Sequence, residues 1–583
     1  MTSEMSESTK NASEELKHED SHLDDQSNDE EVRPFNPESN DSLERGSNAD
    51  YDILRIESNT QASRSLSRRL TGGDKLIEEA NNTNEPLPKM GGDRDYPPAL
   101  PDRTPYQVMF DGPLDPKHPQ NWSVWKKLQM SFALGMSAIS ITFGSGMFAA
   151  SAPDLMKLYG IGWTPATLGT SLFVFGFASG PIIWGPLSEL YGRKIVMVFS
   201  MFGYTCFSFA VATSKDVQSI MICRFFSGFV GAAPLVVAPA AFTDMFNNKQ
   251  RGGAISLFVL LIFAGPMLAP ILGGFTVKNA TLGWRWLSYF IGIFAATALV
   301  LVVFIMDECY APLILCDKAE ALRRRTGNWG IYAPHEEFRL TLKEIVEKNI
   351  TRPLVMLFTE PILFFVSLYN AFVYGILYLF LTAIPLIFGG KYHWSQGVAE
   401  LPYLAMLIGC MIGSFVSLWF ERGFGKKMDA NGGFIDPEVK LPTMILGGVL
   451  FSIGIFWLGW TGAFGDRIHW IVPTIGAVPI GIGLVLIFLP CLNYIIDCYL
   501  IYAASAVAGN TFMRSTFGAV FPLFAKQMIV NMKIQYAATL LGAVAAVLVI
   551  FPILFFKYGK SFRKRSKYSM ELKELMAMMG KPV

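Results

Sequence analysis

Gly185-Pro-Leu-Ser-Glu-Leu-Tyr-Gly-Arg-Lys194 is a polar turn wedged between two apolar runs, each long enough to cross a bilayer. Ser188, Glu189, Arg193 and Lys194 cannot sit in hydrocarbon, so the turn lies at a membrane face. The Arg-Lys pair names the face, because positive charge in short loops marks the cytoplasmic side. Gly185 and Gly192 let two helix ends approach closely. A lone carboxylate, Glu189, among cations beside apolar helices is a candidate latch between moving parts.

Composition extends that reading to the whole chain. With 583 residues, 51% hydrophobic, 17% charged and 46 Phe, and a mean hydropathy of +0.34, the chain is too apolar for a soluble multidomain protein. It reads as an all-α integral membrane protein. The net charge of +1 conceals a division: residues 1–50 carry fifteen Asp or Glu against four Lys or Arg, while the chain beyond Phe556 is basic. Neither end has a nucleic-acid footprint. Cys206, Cys223, Cys309, Cys316, Cys410, Cys491 and Cys498 lack metal-ligand spacing, so neither a metal site nor disulfides are expected. The N-terminus lacks a charged segment followed by an apolar one, so the first membrane span is expected to direct insertion.

From Leu128 onward, apolar runs of about 20 residues recur, the length a helix needs to cross ~30 Å of hydrocarbon. They fall near 128–150, 166–186, 195–213, 217–241, 253–275, 285–306, 354–386, 398–420, 441–461, 468–490, 500–525 and 535–556. The predicted fold is therefore twelve transmembrane helices in two six-helix bundles, 128–306 and 354–556. Before them lie a disordered acidic tail, 1–100, and an ordered lead-in, 101–127; a cytoplasmic loop, 307–353, joins the bundles, and a basic tail, 557–583, follows. Lys249 and Arg251, the Arg323-Arg-Arg325 loop with Lys343, Lys348 and Arg352, then Arg422, Lys426 and Lys427, and Lys560–Arg565 all fall on even-to-odd connections or a terminus. Twelve spans with both ends inside require this arrangement. Two pseudo-symmetric halves of six spans suit a transporter with a midplane site. In the tail, Arg64-Ser-Leu-Ser-Arg-Arg69 places hydroxyls among arginines, a target for a kinase partner.

The opening turn also resembles the pattern G-x-L-[S/A]-D-x-x-G-R-[R/K] between helices 2 and 3 of the major facilitator superfamily, matched at Gly185, Leu187, Ser188, Gly192, Arg193 and Lys194, with Glu189 for the usual Asp. Phe110-Asp-Gly-Pro-Leu-Asp-Pro-Lys-His-Pro-Gln-Asn-Trp122 resembles the lead-in of fungal drug:proton antiporters, and Met90-Gly-Gly-Asp-Arg-Asp-Tyr-Pro-Pro98 that of their polyamine-transporter branch. Gly265-Pro-Met-Leu-Ala-Pro-Ile-Leu-Gly-Gly274 resembles the antiporter motif of the superfamily, with Gly265, Pro266, Pro270, Gly273 and Gly274 as its marks. Arg224, in Cys223-Arg-Phe-Phe-Ser-Gly228 near the outer third of the fourth span, matches an arginine that the resemblance links to proton coupling. The resemblance implies a proton-coupled exporter of polyamines or of cationic and amphipathic drugs, without cofactor, driven by a proton gradient. It also implies a plasma-membrane address, with the vacuolar membrane as the alternative, and one polypeptide as the working unit in lipid.

Residues that hydrocarbon should reject supply the candidate site. Glu360 is the first carboxylate expected to exchange a proton for a cation, and Asp497 the second, with Asp497 also placed to meet the span 2–3 turn. Tyr374 and Tyr378 are four apart and share a face with Asn370, so ring faces and acceptors together suit organic cations. Tyr369, Asn493, Asn510 and Arg514 complete the set, Arg514 being a partner for a carboxylate. Asp244 is expected to pair with Lys249 or Arg251. A drug or weak-acid exporter that rejects polyamines is the alternative within transport. A membrane receptor or scaffold is the alternative outside it. The sequence holds no P-loop and no catalytic constellation.

Overall fold

The computed structural model describes residues 106–112, 114–279, 281–337, 347–430, 436–465 and 467–569. The acidic tail, the Arg64–Arg69 cluster, Met90–Pro98, Lys343 and the last fourteen residues of the basic tail lie outside the described residues.

The described chain is a succession of helices. Span 1 is Val124–Met147, span 2 Trp163–Leu190, span 3 Arg193–Thr213, span 4 Val217–Gly231 with Ala233–Met245, span 5 Asn248–Lys278 and span 6 Arg285–Ile305. Span 7 is Arg352–Thr359 with Pro361–Lys391, span 8 Tyr403–Ala430, span 9 Leu441–Gly462, span 10 Ile471–Cys498, span 11 Ala503–Met532 and span 12 Ile534–Leu548 with Ile550–Arg565. Eleven of these are long and apolar enough to cross a membrane by composition alone. Span 11, with 30 residues, is the twelfth. Its apolarity is diluted by Asn510 and Arg514, which it turns inward and buries.

Packing follows the expected two-fold repetition. In the first half span 1 packs on span 5, span 2 on span 4, and span 3 on spans 4 and 6; in the second, span 7 packs on span 11, span 8 on span 10, and span 9 on spans 10 and 12. The halves meet where span 2 crosses span 11 and span 5 crosses span 8. Equivalent close approaches depend on glycine. A Cβ on Gly228 of span 4 would overlap the carbonyl oxygen of Phe173 in span 2, and one on Gly481 of span 10 would overlap that of Met406 in span 8. Phe199, Phe304, Phe415 and Val547 stand exposed around the perimeter. In water such a belt would aggregate; around a bundle of spans it is the lipid face.

Two spans break where proline dictates. Glu360, which precedes Pro361, is forced out of helical geometry to φ −99°, ψ 109° and divides span 7. In span 4 the helix resumes at Ala233 with Pro234 in its first turn, where a missing donor is tolerated.

The lead-in is ordered. Asp115 accepts the backbone N–H groups of Asp111 at 2.9 Å and Lys117 at 2.8 Å, and Lys126 lies over the Trp122 ring. Beyond the contact with the first span, the lead-in also docks on the helix Ala311–Thr326 that follows span 6. Val108 donates to the Tyr332 carbonyl at 2.9 Å, Lys318 pairs with Asp111 at 2.8 Å, and Val108 packs with Ala319 and Ala333.

Candidate functional site

Span 3 begins at Gly192, whose φ of +93° and contact with the Glu308 carboxylate leave no room for a side chain. The Glu308 carboxylate accepts the backbone N–H groups of Arg193 and Lys194, both at 3.0 Å, and those of Cys309 at 3.0 Å and Tyr310 at 2.8 Å. It therefore caps span 3 from the far end of span 6. The Arg193 guanidinium donates to Asp244 at 3.2 Å and to the Ser188 hydroxyl at 2.6 Å, over the Tyr310 ring. Two expectations are corrected. Asp244 pairs with Arg193 rather than with Arg251, and Glu189 is exposed, its place beside the cations taken by Asp244, on the Arg193 guanidinium, and by Glu308, on the backbone N–H groups of Arg193 and Lys194. The reason is helical phase: Ser188 and Asp244 face Arg193 inside the bundle, whereas Glu189 is one residue round from Ser188 and points out.

The second half has a counterpart. Arg563 donates two hydrogen bonds to Glu438, at 2.9 and 3.0 Å, and Lys440 pairs with Asp497 at 2.5 Å. Asp497 therefore binds the start of span 9 rather than the span 2–3 turn. Asn493, one turn back, lies beside Glu421 of span 8. Both residues belong to this end of the second half.

Arg224 is 2% exposed, which rules out a snorkelling arginine. Its guanidinium donates to the carbonyls of Gly169 at 3.2 Å and Gly144 at 3.1 Å. The rings of Phe148 and Phe173 lie at 4.4 and 4.3 Å from it. Carbonyl dipoles and ring faces thus replace water around a cation in the low-dielectric interior. Span 5 supports this site from behind. Gly265 lies against Thr142 and Phe143 of span 1 and Gly273 against Met147, while the helix runs unbroken through Pro266 and Pro270.

The centre of the molecule joins the halves. The Tyr378 and Ser145 hydroxyls are hydrogen-bonded at 2.9 Å, and the Tyr374 and Tyr378 rings lie 5.1 Å apart. Asn370 donates to Asn510 at 3.2 Å. The Arg514 guanidinium is sandwiched between Tyr374, at 4.7 Å, and Phe488, at 5.0 Å. Asn370, Tyr374, Tyr378, Asn510 and Arg514 are therefore brought together: spacing predicts each group on its own helix face, and the packing of span 7 on span 11 joins the two. The carboxylate expected to partner Arg514 is absent among the described residues, and ring faces take its place. Tyr369 points the other way, its hydroxyl against Gly448. Glu360 lies fourteen residues before Tyr374, about 20 Å away along the helix at 1.5 Å per residue. It is 4% exposed and accepts the Tyr499 hydroxyl at 3.3 Å, so it belongs to the span 7 break and not to the central cluster.

Sequence reading missed Ser145, Phe148, Phe173 and Glu308. Asp307-Glu308 directly after an apolar run was the available signal for the last. The others carry no signal in one sequence, because a serine or phenylalanine in a membrane helix is ordinary.

The Major Facilitator Superfamily model matches residues 134–522, from within span 1 to within span 11. The chain belongs to the Major Facilitator Superfamily. Among relatives in this superfamily, it is 62% identical over 523 residues to "Major facilitator superfamily multidrug transporter FLU1" of Candida albicans, across 90% of this chain and 86% of that one. It is 50% identical over 518 residues to "Multidrug transporter TPO1_2" of Candida glabrata, across 89% of each. The resemblance to fungal drug transporters is thus borne out. The solved xylose transporter XylE from E. coli, in a partially occluded inward open conformation, superposes with a TM-score of 0.53 at 16% identity, over 74% of this chain and 97% of that one. That likeness concerns the superfamily fold alone. Family and relatives make this chain a multi-pass membrane transporter and not an enzyme.

Proposed function

We propose that this chain exports amphipathic and cationic organic compounds, polyamines among them, in exchange for protons, by alternating access. The observation that carries the reading is the buried cluster of aromatic rings, amides and hydroxyls at the junction of the halves. Within that cluster the Ser145–Tyr378 hydrogen bond joins one half to the other. Separating the halves breaks that bond and uncovers the faces of Tyr374 and Tyr378 with the amides of Asn370 and Asn510. Rings and neutral amides suit varied amphipathic cargo, since neither demands one geometry.

In this reading Glu360 takes the proton. Protonation removes the charge that attracts a cation, and the difference in affinity between the two states lets one gradient drive the other. Arg224 tunes the coupling, while the Arg193–Asp244–Glu308 and Lys440–Asp497 groups hold the cytoplasmic ends of the halves. Both termini are cytoplasmic and the address is the plasma membrane. The names of the relatives, both multidrug transporters, support the drug cargo.

One observation favours a second reading, export of weak acids: the charges nearest the centre, Arg224 and Arg514, are both cations. Inside-out vesicles with an acidic lumen separate the two. Labelled spermidine and an azole should accumulate and be lost on adding a protonophore. Accumulation of a weak acid alone favours the second reading, and accumulation indifferent to the pH gradient removes proton exchange.

A further inference from the structure

At the face opposite the termini, the connection between spans 7 and 8 fills the seam between the halves. Ser395 accepts a hydrogen bond from Lys278 at 3.1 Å, and the Gln396 amide donates to the Ala150 carbonyl at 3.3 Å. Gly397, at φ +93°, lies so close to span 5 that a Cβ would stand 2.9 Å from the Phe275 ring. A Cβ on Gly274 would stand 2.7 Å from Gly397 Cα and 3.2 Å from Glu400 Cγ. The last glycine of the Gly265–Gly274 motif is therefore the floor on which this plug rests.

Glu400 sits in that seam, 5% exposed, and its Oε2 has no hydrogen-bond partner among the described residues. The charged and titratable groups on the surrounding elements are turned elsewhere. Lys278 of span 5 binds Ser395, and Lys391 at the end of span 7 and His393 in the connection itself are exposed. Tyr403 at the start of span 8 gives its hydroxyl to the Phe380 carbonyl at 2.7 Å. An ionised carboxylate sealed between apolar walls without a cation or donor is strongly disfavoured, and a neutral carboxyl is not.

We propose that Glu400 is the proton-binding group of this outer gate: the gate closes with the carboxyl neutral and opens with the carboxylate hydrated. Each closure then takes up one proton from the solution on the face opposite the termini. The proposal rests on the alternating-access reading above, but needs neither cargo nor gradient. Where Glu400 is ionised in the open state and neutral in the closed one, the closed-to-open ratio rises about tenfold for each unit of falling pH.

The test places nitroxide labels at Asn279→Cys and Lys533→Cys, on the two halves at that face, in a full-length chain whose native cysteines are replaced by alanine. Distances are measured in nanodiscs, without substrate, from about pH 5 to about pH 9, a range that brackets a buried carboxyl. With Glu400 the short-distance population should grow as pH falls, and Glu400→Asp should keep that dependence. Glu400→Gln should hold the gate closed at every pH. If Glu400→Gln does not reach the membrane, Glu400→Ala carries the same comparison. A wild-type population indifferent to pH overturns the proposal, as does a pH dependence that survives Glu400→Gln or Glu400→Ala. A pH-sensitive gate in a chain whose transport ignores the proton gradient leaves Glu400 in place and removes the proposed exchange.

Discussion

Replacing Glu308 tests whether one carboxylate at the end of span 6 holds the start of span 3. Its two long-range bonds, to the N–H groups of Arg193 and Lys194, are hydrogen bonds to a charged acceptor, worth about 1.5–3 kcal/mol each when fully buried. The first-turn dipole adds about 0.3–1 kcal/mol. Glu308 is only half-buried, so water re-satisfies part of what Glu308→Ala leaves open, and a net loss of about 2–3 kcal/mol is expected. For a cooperative unit the size of one half, each kcal/mol moves the midpoint about 2–4 °C, so Tm should fall by about 4–12 °C. Glu308→Gln keeps one acceptor oxygen without charge and should fall in between. Tryptophan fluorescence of the purified transporter in detergent during heating reads the order wild type, Gln, Ala. An Ala variant melting within about 1 °C of wild type would refute the capping argument.

Gly228→Ala and Gly481→Ala should each cost about 1–3 kcal/mol or more by overpacking, seen as loss of the monodisperse peak in size-exclusion chromatography. Gly253→Ala, with nothing within 4 Å of the added Cβ, should be silent. Arg224→Lys keeps the charge but loses the fork that reaches the Gly144 and Gly169 carbonyls together. It should lower stability by about 2 kcal/mol and shift the pH profile of transport, whereas a purely structural arginine would leave that profile in place. Tyr378→Phe removes the hydroxyl bond to Ser145 and should favour separated halves by about 1 kcal/mol, roughly fivefold, read as a smaller short-distance population of the Asn279–Lys533 nitroxide pair. Asp216 caps span 4 through the Ser219 N–H at 2.8 Å, which is the main reason its carboxyl lies below the usual range. That stability is present above about pH 4, the ordinary carboxyl range, and is lost as pH falls through the lowered value. Asp216→Ala should therefore flatten the acid limb of a Tm-versus-pH curve.

The membrane fold was legible because hydrocarbon imposes length and apolarity on every crossing helix. Span 11 was recognised despite Asn510 and Arg514, since the surrounding runs fixed the count. Helical spacing correctly grouped Asn370 with Tyr374 and Tyr378, and Asn510 with Arg514, on single faces. It failed for Asp244, Asp497 and Tyr369, whose neighbours come from other spans and whose partners depend on how each helix is rotated against the next.

The sequence by itself determined that this chain crosses lipid in two sets of six helices, and which polar residues had to be buried, because burying a charge or an amide in hydrocarbon leaves a mark that hydropathy detects. Only the tertiary structure decided who satisfies them: Arg224 by two carbonyls and two phenylalanines, Arg193 by Asp244 with Glu308 bracing its backbone, Arg514 by rings, and Glu400 on one oxygen by nothing at all. Partner choice is a matter of helix rotation and glycine-permitted approach between segments distant in the chain, and a linear pattern carries neither.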